Sequence, residues 1–184
     1  METGPQPGAI LRKLWRRAEV RHTGPVTRPP VHPDLAPLAF LLGAWAGEGV
    51  GDYPTIERFL YREEMSFTHA GKPFFAYAQQ TWSLGNGAPM HSETGYWRPQ
   101  QGGGVEIVLA HPFGVVEIAE GTLDGRRVSL SSTTMAATSS ADEVAQVTRT
   151  IEVEGDLLRY SVDMAAAEQP LQRHLEAELN RVSG

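Results

Sequence analysis

Histidines are the side chains in this sequence best suited to proton transfer or metal binding. There are six histidines and no cysteine, so disulfides, thiolate nucleophiles and thiolate metal sites are excluded. His22 and His32 lie in a proline-rich N-terminal segment and are expected to be solvated. His69 and His111 precede turn residues, where capping or surface roles are the default.

The remaining two histidines are His91 and His174. His174 lies among Leu171, Leu175 and Leu179, on a segment apolar enough to be packed. The residues alone leave two interpretations open for it, a structural histidine or a ligand. His91 lies two residues before a glutamate, and that pair could be purely structural. Hydrolase chemistry has little support, because Ser92 and Glu93 are adjacent, and adjacent side chains of a strand point to opposite faces.

One short helix is predicted just before the first tryptophan of the main part of the chain. The run His32-Pro33-Asp34 is a typical helix start, leucines follow at 35, 38, 41 and 42, and Gly43 is placed to end the helix.

From Trp45 onward, short alternating runs separated by turn residues predict an all-β structure. We expect about ten strands in meander order, near residues 45–51, 59–67, 75–82, 91–98, 105–110, 115–121, 127–134, 144–153, 157–164 and the C-terminus. A sheet of this size closes on itself rather than leaving exposed edges. A closed barrel of about eight to ten strands has room for one small ligand.

The C-terminal strand is the least clear of these elements. Leu171, Leu175, Leu179 and Val182 have helical spacing, whereas residues 175, 177 and 179 also alternate with polar neighbours. Closure of the barrel requires a strand here, so we predict one. Glu176 or Glu178 would then share a face with His174, near a mouth open to water.

Composition and charge argue against several classes of protein. The net charge is −6, and basic residues crowd the first thirty positions, so the acidic remainder disfavours nucleic acid as a partner. No apolar stretch is long enough for a membrane span, and the first residues do not resemble a signal peptide. A cytoplasmic protein is expected, with a proline-rich, poorly ordered arm at residues 1–32 and one domain at residues 33–184.

The most distinctive motif is the run GAWAGEG at residues 43–49, a G-x-W-x-G-x-G pattern at the start of the first strand. Trp45 is expected to lie across the base of the barrel in a structural role. The glycines Gly43, Gly47 and Gly49 allow a bent strand and close approach of neighbours.

Longer runs carry a resemblance to a known family. They are GAWAGEG at 43–49, GDYPTI at 51–56, YREE at 61–64, HAGKPF at 69–74, HSETGY at 91–96, LAHPFG at 109–114 and QPLQRHL at 169–175. Their order and spacing resemble the nitrobindin family, most closely its actinobacterial members. The resemblance extends from about Leu35 to Val182.

The resemblance implies a ten-stranded antiparallel up-and-down β-barrel of the calycin or lipocalin-like kind that binds ferric haem b. It implies that His174, in Pro-Leu-x-x-His-Leu, is the proximal iron ligand and the catalytic residue, and that Thr55 lies near the haem. The implied activity is isomerisation of peroxynitrite to nitrate, with binding of nitric oxide. The expected partners are these small molecules, with no nucleic acid and no membrane, and a homodimer is left open.

Three alternatives remain. The barrel could be a lipocalin or fatty-acid-binding type of carrier without catalysis, which gives His174 no role. It could be a nitric oxide sensor or carrier. It could also be a structural barrel that contacts a protein partner through its arm.

Overall fold

The chain forms a closed antiparallel barrel of ten strands. We describe residues 29–182 of a computed structural model. The strands are β1 (Gly43–Tyr53), β2 (Ile56–Thr68), β3 (Phe75–Ser83), β4 (Pro89–Pro99), β5 (Gly104–His111), β6 (Val115–Asp124), β7 (Arg127–Ala137), β8 (Val144–Glu154), β9 (Leu157–Ala166) and β10 (Gln172–Val182). Each strand pairs with its neighbours in the chain, and β1 pairs with β10 to close the ring. The predicted barrel, including the strand at its C-terminus, is confirmed.

The helix before β1 is a 3₁₀ helix, Pro33–Leu41. Its three buried residues, Leu35, Leu38 and Leu41, are spaced by three, which matches the three residues per turn of a 3₁₀ helix. Pro37 lies inside it and has no N–H to donate to an α-helical hydrogen bond. The predicted short helix is therefore present, and it ends at Leu41 before Gly43 opens β1.

This helix closes one end of the barrel through Trp45 and Arg181. The indole Nε1 of Trp45 donates a hydrogen bond of 2.8 Å to the carbonyl of Leu41, and the Arg181 guanidinium lies 4.0 Å from the centre of the tryptophan ring. Arg181 also donates to the carbonyls of Phe40 and Leu42, which satisfies the free end of the helix. Trp45 therefore lies at the base of the barrel, as predicted.

Two of the motif glycines are needed for close packing along β1. A Cβ at Gly47 would lie 2.0 Å from the carbonyl oxygen of Glu178 on β10. A Cβ at Gly49 would lie 2.3 Å from a ring carbon of Tyr61 on β2. The absence of side chains lets β10 approach β1 and leaves room inside the barrel for the Tyr61 ring.

The predicted arm at residues 1–32 lies almost wholly outside the described residues, and so does His22. Among residues 29–182, no helix is long and apolar enough to cross a membrane.

Candidate functional site

A cavity of about 740 Å³ occupies the end of the barrel opposite the 3₁₀ helix. This volume is within the range of about 300–1,000 Å³ usual for small-molecule and cofactor sites. Its upper wall is apolar and includes Ile56, Phe59, Met90, Phe113, Met135, Val144, Val147, Val162, Met164 and Leu175. Its floor is polar and includes Tyr61, Gln79, Glu93, His111, Arg149 and Tyr160. Another depression, of about 610 Å³, lies on the outer surface among charged side chains and does not include His174.

His174 faces the cavity because β10 contains a bulge at this position. The pairing of β10 with β9 shifts register between Arg173 and Leu175, so His174 has no direct partner on β9. A bulge of this kind lets two consecutive side chains face the same side of a sheet, and both His174 and Leu175 line the cavity. The expectation that Glu176 or Glu178 shares the face of His174 is therefore wrong. Both glutamates are exposed on the outer surface.

The imidazole of His174 is held with one nitrogen committed to the protein. Its Nδ1 lies 3.3 Å from the carbonyl oxygen of Asp52, and because a carbonyl only accepts, Nδ1 is the donor. The ring contacts Tyr53 and Phe59 edge-on, at centroid distances of 5.3 and 6.5 Å. Burial lowers the pKa of His174 below its usual value, although the Asp52 carbonyl opposes this shift. The ring is therefore neutral at pH 7, with Nε2 free to bind a metal.

Tyr53 fixes the turn that leads into this bulge. Its hydroxyl accepts a hydrogen bond of 2.9 Å from the backbone N–H of Ala166 and donates to backbone carbonyls of the same segment. The next two residues, Ala167 and Glu168, have positive φ values of 50° and 60°, which is uncommon for non-glycine residues and is often found near functional sites. Thr55, in the turn between β1 and β2, is exposed at the rim of the same cavity.

The floor is organised around Arg149 of β8. Its guanidinium lies between two buried carboxylates, with Nη2 3.2 Å from Glu93 and 2.5 Å from Glu117. Tyr77 donates a hydrogen bond of 2.8 Å to the other oxygen of Glu93. Burial alone raises the pKa of a carboxyl group, but Arg149 outweighs it and holds the pKa of both glutamates below the usual value. Both carboxylates are therefore charged at pH 7.

A second buried group on the floor surrounds Glu63 of β2. Tyr160 donates a hydrogen bond of 2.5 Å to one carboxylate oxygen, and Gln79 donates one of 2.8 Å to the other. The Tyr61 hydroxyl lies 2.8 Å from that of Tyr160. Burial raises the pKa of Glu63 to about 7, and the two hydrogen bonds only partly oppose this. Glu63 is therefore partly protonated near neutral pH.

Roles were also predicted for three other histidines among the described residues, and the structure shows where each of them lies. Nδ1 of His69 accepts a hydrogen bond from the backbone of Gly71, which is the predicted turn role. Nδ1 of His32 accepts one from Asp34 at the start of the 3₁₀ helix, so this residue caps the helix rather than being merely solvated. The surface or capping role expected for His111 is wrong, since its side chain is only 6% exposed and lies between Glu93 and Glu117.

The polar floor of the cavity was not predicted from the sequence, although the alternating pattern of β2 and β8 contained a signal for it. Glu63 falls on the same alternating face of β2 as Tyr61 and Met65, both of which are buried. Arg149 falls in the same way between Val147 and Ile151 on β8. Charged residues at inward positions of a small barrel either pair with one another or serve a site.

A closed barrel whose cavity has apolar walls and an inward imidazole defines a class, the barrels that bind a flat, largely apolar cofactor or a small apolar ligand. Residues 34–181 match the family described as "THAP4-like, heme-binding beta-barrel domain". The chain belongs to this family, and the resemblance stated from the sequence is thereby confirmed. Haem is the cofactor that the family description names, and the cavity fits it through its volume, its apolar walls and the free Nε2 of His174.

Relatives cover most of the chain. A Mycolicibacterium paratuberculosis protein named "Peroxynitrite isomerase 1" is 51% identical over 155 residues, which is 82% of this chain and 96% of the relative. A Nocardia farcinica protein named "Peroxynitrite isomerase" is 48% identical over 155 residues, covering 82% and 92%. The crystal structure of Rv2717c from M. tuberculosis superposes with a TM-score of 0.79 at 45% identity, covering 84% of this chain and 100% of that one.

Proposed function

We propose that this protein binds haem b through Nε2 of His174 and isomerises peroxynitrite to nitrate. The observation that carries the proposal is the geometry of His174, a bulged residue turned into the cavity with Nδ1 committed to the Asp52 carbonyl. The relatives named peroxynitrite isomerase, at about half identity over most of the chain, support the reaction.

The chain's residues have separate tasks in this proposal. Bound haem supplies an iron centre that acts as a Lewis acid toward the peroxynitrite anion. The backbone carbonyl of Asp52 fixes the tautomer and the ring orientation of His174, as hydrogen-bonded partners of ligating histidines commonly do. Tyr53 and Phe59 pack against the ring and limit its rotation.

The apolar upper wall limits the access of water to the reacting molecule. Phe59, Val162 and Met164 belong to this wall, and none of them carries a titratable group. A reactant next to this wall therefore meets no acidic or basic side chain there, and the titratable groups of the cavity belong mainly to the polar floor. Thr55 lies at the rim, where its hydroxyl is proposed to face the edge of the bound haem.

Nitric oxide is proposed as a second ligand of the same site, with the iron in the ferric state. A cytoplasmic location is proposed as well, supported by the lack of cysteine in a chain that therefore needs no oxidising compartment.

Stopped-flow measurement of peroxynitrite decay tests the proposed activity. The haem-loaded wild type is expected to accelerate the decay in proportion to its haem content. In the presence of His174→Ala, peroxynitrite is expected to decay at the rate measured in buffer alone. His69→Ala is the matched control, because this histidine lies in a turn and is not among the residues that line the cavity. An unchanged rate in His174→Ala would defeat the assignment. A wild type without acceleration but with bound haem would favour a nitric oxide carrier or sensor.

A further inference from the structure

Three possible metal-ligand atoms meet at one side of the cavity floor. Nε2 of His91 lies 3.6 Å from Oε2 of Glu93. Nδ1 of His111 lies 3.4 Å from that same oxygen and 3.4 Å from Nε2 of His91. Three ligands bound tetrahedrally at about 2.1 Å from one ion lie about 3.4 Å from each other. The triangle therefore already has the size that a bound zinc ion requires.

The fold of β4 and β5 brings these residues together. His91 and Glu93 are two residues apart on β4 and so share its inward face. Thr94 pairs with Ala110 on β5, which places Glu93 beside His111. The three ligands thus come from the paired parts of two adjacent strands, and strands hold a ligand set more firmly than loops do.

The second nitrogen of His111 supports the same conclusion. Its Nε2 is buried and makes no hydrogen bond within residues 29–182. It lies 3.4 Å from a carboxylate oxygen of Glu117, and the His111 side chain is only 6% exposed. When Nδ1 binds a metal, Nε2 carries the proton. The Glu117 carboxylate lies near enough to become the acceptor of a hydrogen bond from this N–H. Carboxylate–histidine–metal chains of this kind are the usual support for histidine ligands.

The charges around the triangle also favour a cation. Glu93 and Glu117 face a single guanidinium, that of Arg149. Two buried carboxylates with one positive partner leave an excess negative charge in this layer, and buried charge is costly unless it is compensated. Tyr77 and Arg149 contact Glu93 from one side and hold its orientation.

We propose that His91, Glu93 and His111 bind one divalent transition-metal cation in the wall of the cavity, at a site separate from His174. Two imidazoles and one carboxylate are a ligand set typical of zinc and of non-haem ferrous iron. Three protein ligands leave one coordination position open. Because His91 and His111 both line the cavity, this position faces the space where a small anion or water would bind.

Zinc binding to the untagged, full-length protein tests the proposal. The protein is dialysed against a chelator, equilibrated with zinc chloride and desalted, and zinc and iron are counted separately by mass spectrometry. We expect close to one zinc per chain. This ratio should not depend on the haem content, which the iron count gives. Titration calorimetry then gives the zinc affinity of each variant.

His91→Ala is the first variant, because its side chain is one-third exposed and its loss is tolerated by the fold more readily than the loss of a buried residue. It is expected to lower zinc affinity at least 100-fold. Glu117→Gln, which keeps the shape of the side chain, is expected to lower it about 10- to 100-fold. His69→Ala is the matched control and is expected to bind zinc as the wild type does.

Two results would overturn the proposal. The first is a wild type that retains no zinc, which would leave the triangle as a hydrogen-bonded group whose cation is a protonated histidine. The second is zinc that binds His91→Ala and His111→Ala with the affinity of the wild type, which would assign it to another site.

Discussion

Replacing Arg149 by methionine is expected to destabilise the barrel more than the removal of an exposed charged side chain does. The guanidinium is 12% exposed and contacts two carboxylates that are 2% and 0% exposed, those of Glu93 and Glu117. In the zinc-free protein, methionine fills a similar space but leaves both carboxylates buried without the guanidinium. Breaking a buried ion pair from one side costs about 3–5 kcal/mol. In a domain of this size that corresponds to a fall in melting temperature of roughly 6–20 °C.

The pH dependence makes this prediction specific. In the wild type the pKa of Glu93 and of Glu117 is lowered, so their contribution to stability is present above the unfolded-state pKa of about 4.3 and is lost as the pH falls. In Arg149→Met burial acts without the opposing cation and raises both pKa values, so stability falls as the pH rises above about 4.3. The difference between the two proteins should therefore widen between pH 4 and pH 7.

Urea denaturation followed by circular dichroism measures this difference, with chelator-dialysed protein at equal haem content and at several pH values. Arg127→Met is the matched control, because its ion pair with Glu152 joins side chains that are 53% and 58% exposed. Exposed pairs contribute about 0–1 kcal/mol. Equal losses in the two variants, or a loss in Arg149→Met that does not grow with pH, would refute the reasoning.

Three further predictions concern stability. The pKa of Glu63 is raised to about 7, so ionising it between pH 4.5 and pH 7 costs the folded state up to about 3 kcal/mol. Glu63→Gln should therefore lose less stability than the wild type over that range in urea denaturation. Gly49→Ala would put a methyl group within 2.3 Å of the Tyr61 ring and should cost about 1–3 kcal/mol by calorimetry. Trp45→Phe leaves the Leu41 carbonyl without its 2.8 Å donor and should cost about 1–3 kcal/mol, with an unchanged haem spectrum.

Each of these has a result that would contradict it. Parallel pH profiles for Glu63→Gln and the wild type would mean that Glu63 ionises normally in the folded protein. Gly85→Ala is the control for Gly49→Ala, since its new Cβ would meet nothing closer than 3.6 Å, and equal losses would refute the crowding argument. A shifted haem spectrum in Trp45→Phe would contradict its position at the closed end.

The barrel could be predicted because its strands follow simple rules. Alternation on β2 and β9 and glycine-containing turns such as Gly85-Asn86-Gly87 define most strands directly. The type of the first helix could not be obtained in this way. Leucines at 35, 38 and 41 suit either an α-helix or a 3₁₀ helix, and Pro37 was the only local sign of the tighter form.

The site was predictable only in part, because two of its features depend on tertiary structure. A bulge at His174 is a property of how β10 pairs with β9, and the alternation of β10 by itself puts His174 on the outer face. The polar floor depends on pairing between strands far apart in sequence, such as Arg149 with Glu93. Inward charges are visible in the pattern, but their partners are not.

The most direct test of haem ligation by His174 is a haem titration of the full-length protein followed by its Soret absorption. The wild type is expected to bind one haem per chain with the spectrum of a histidine-ligated iron. His174→Gly is expected to lose that spectrum and to regain it when free imidazole is added, because the vacated space next to the Asp52 carbonyl fits the ring. A variant whose spectrum equals that of the wild type, with no response to imidazole, would contradict ligation by His174.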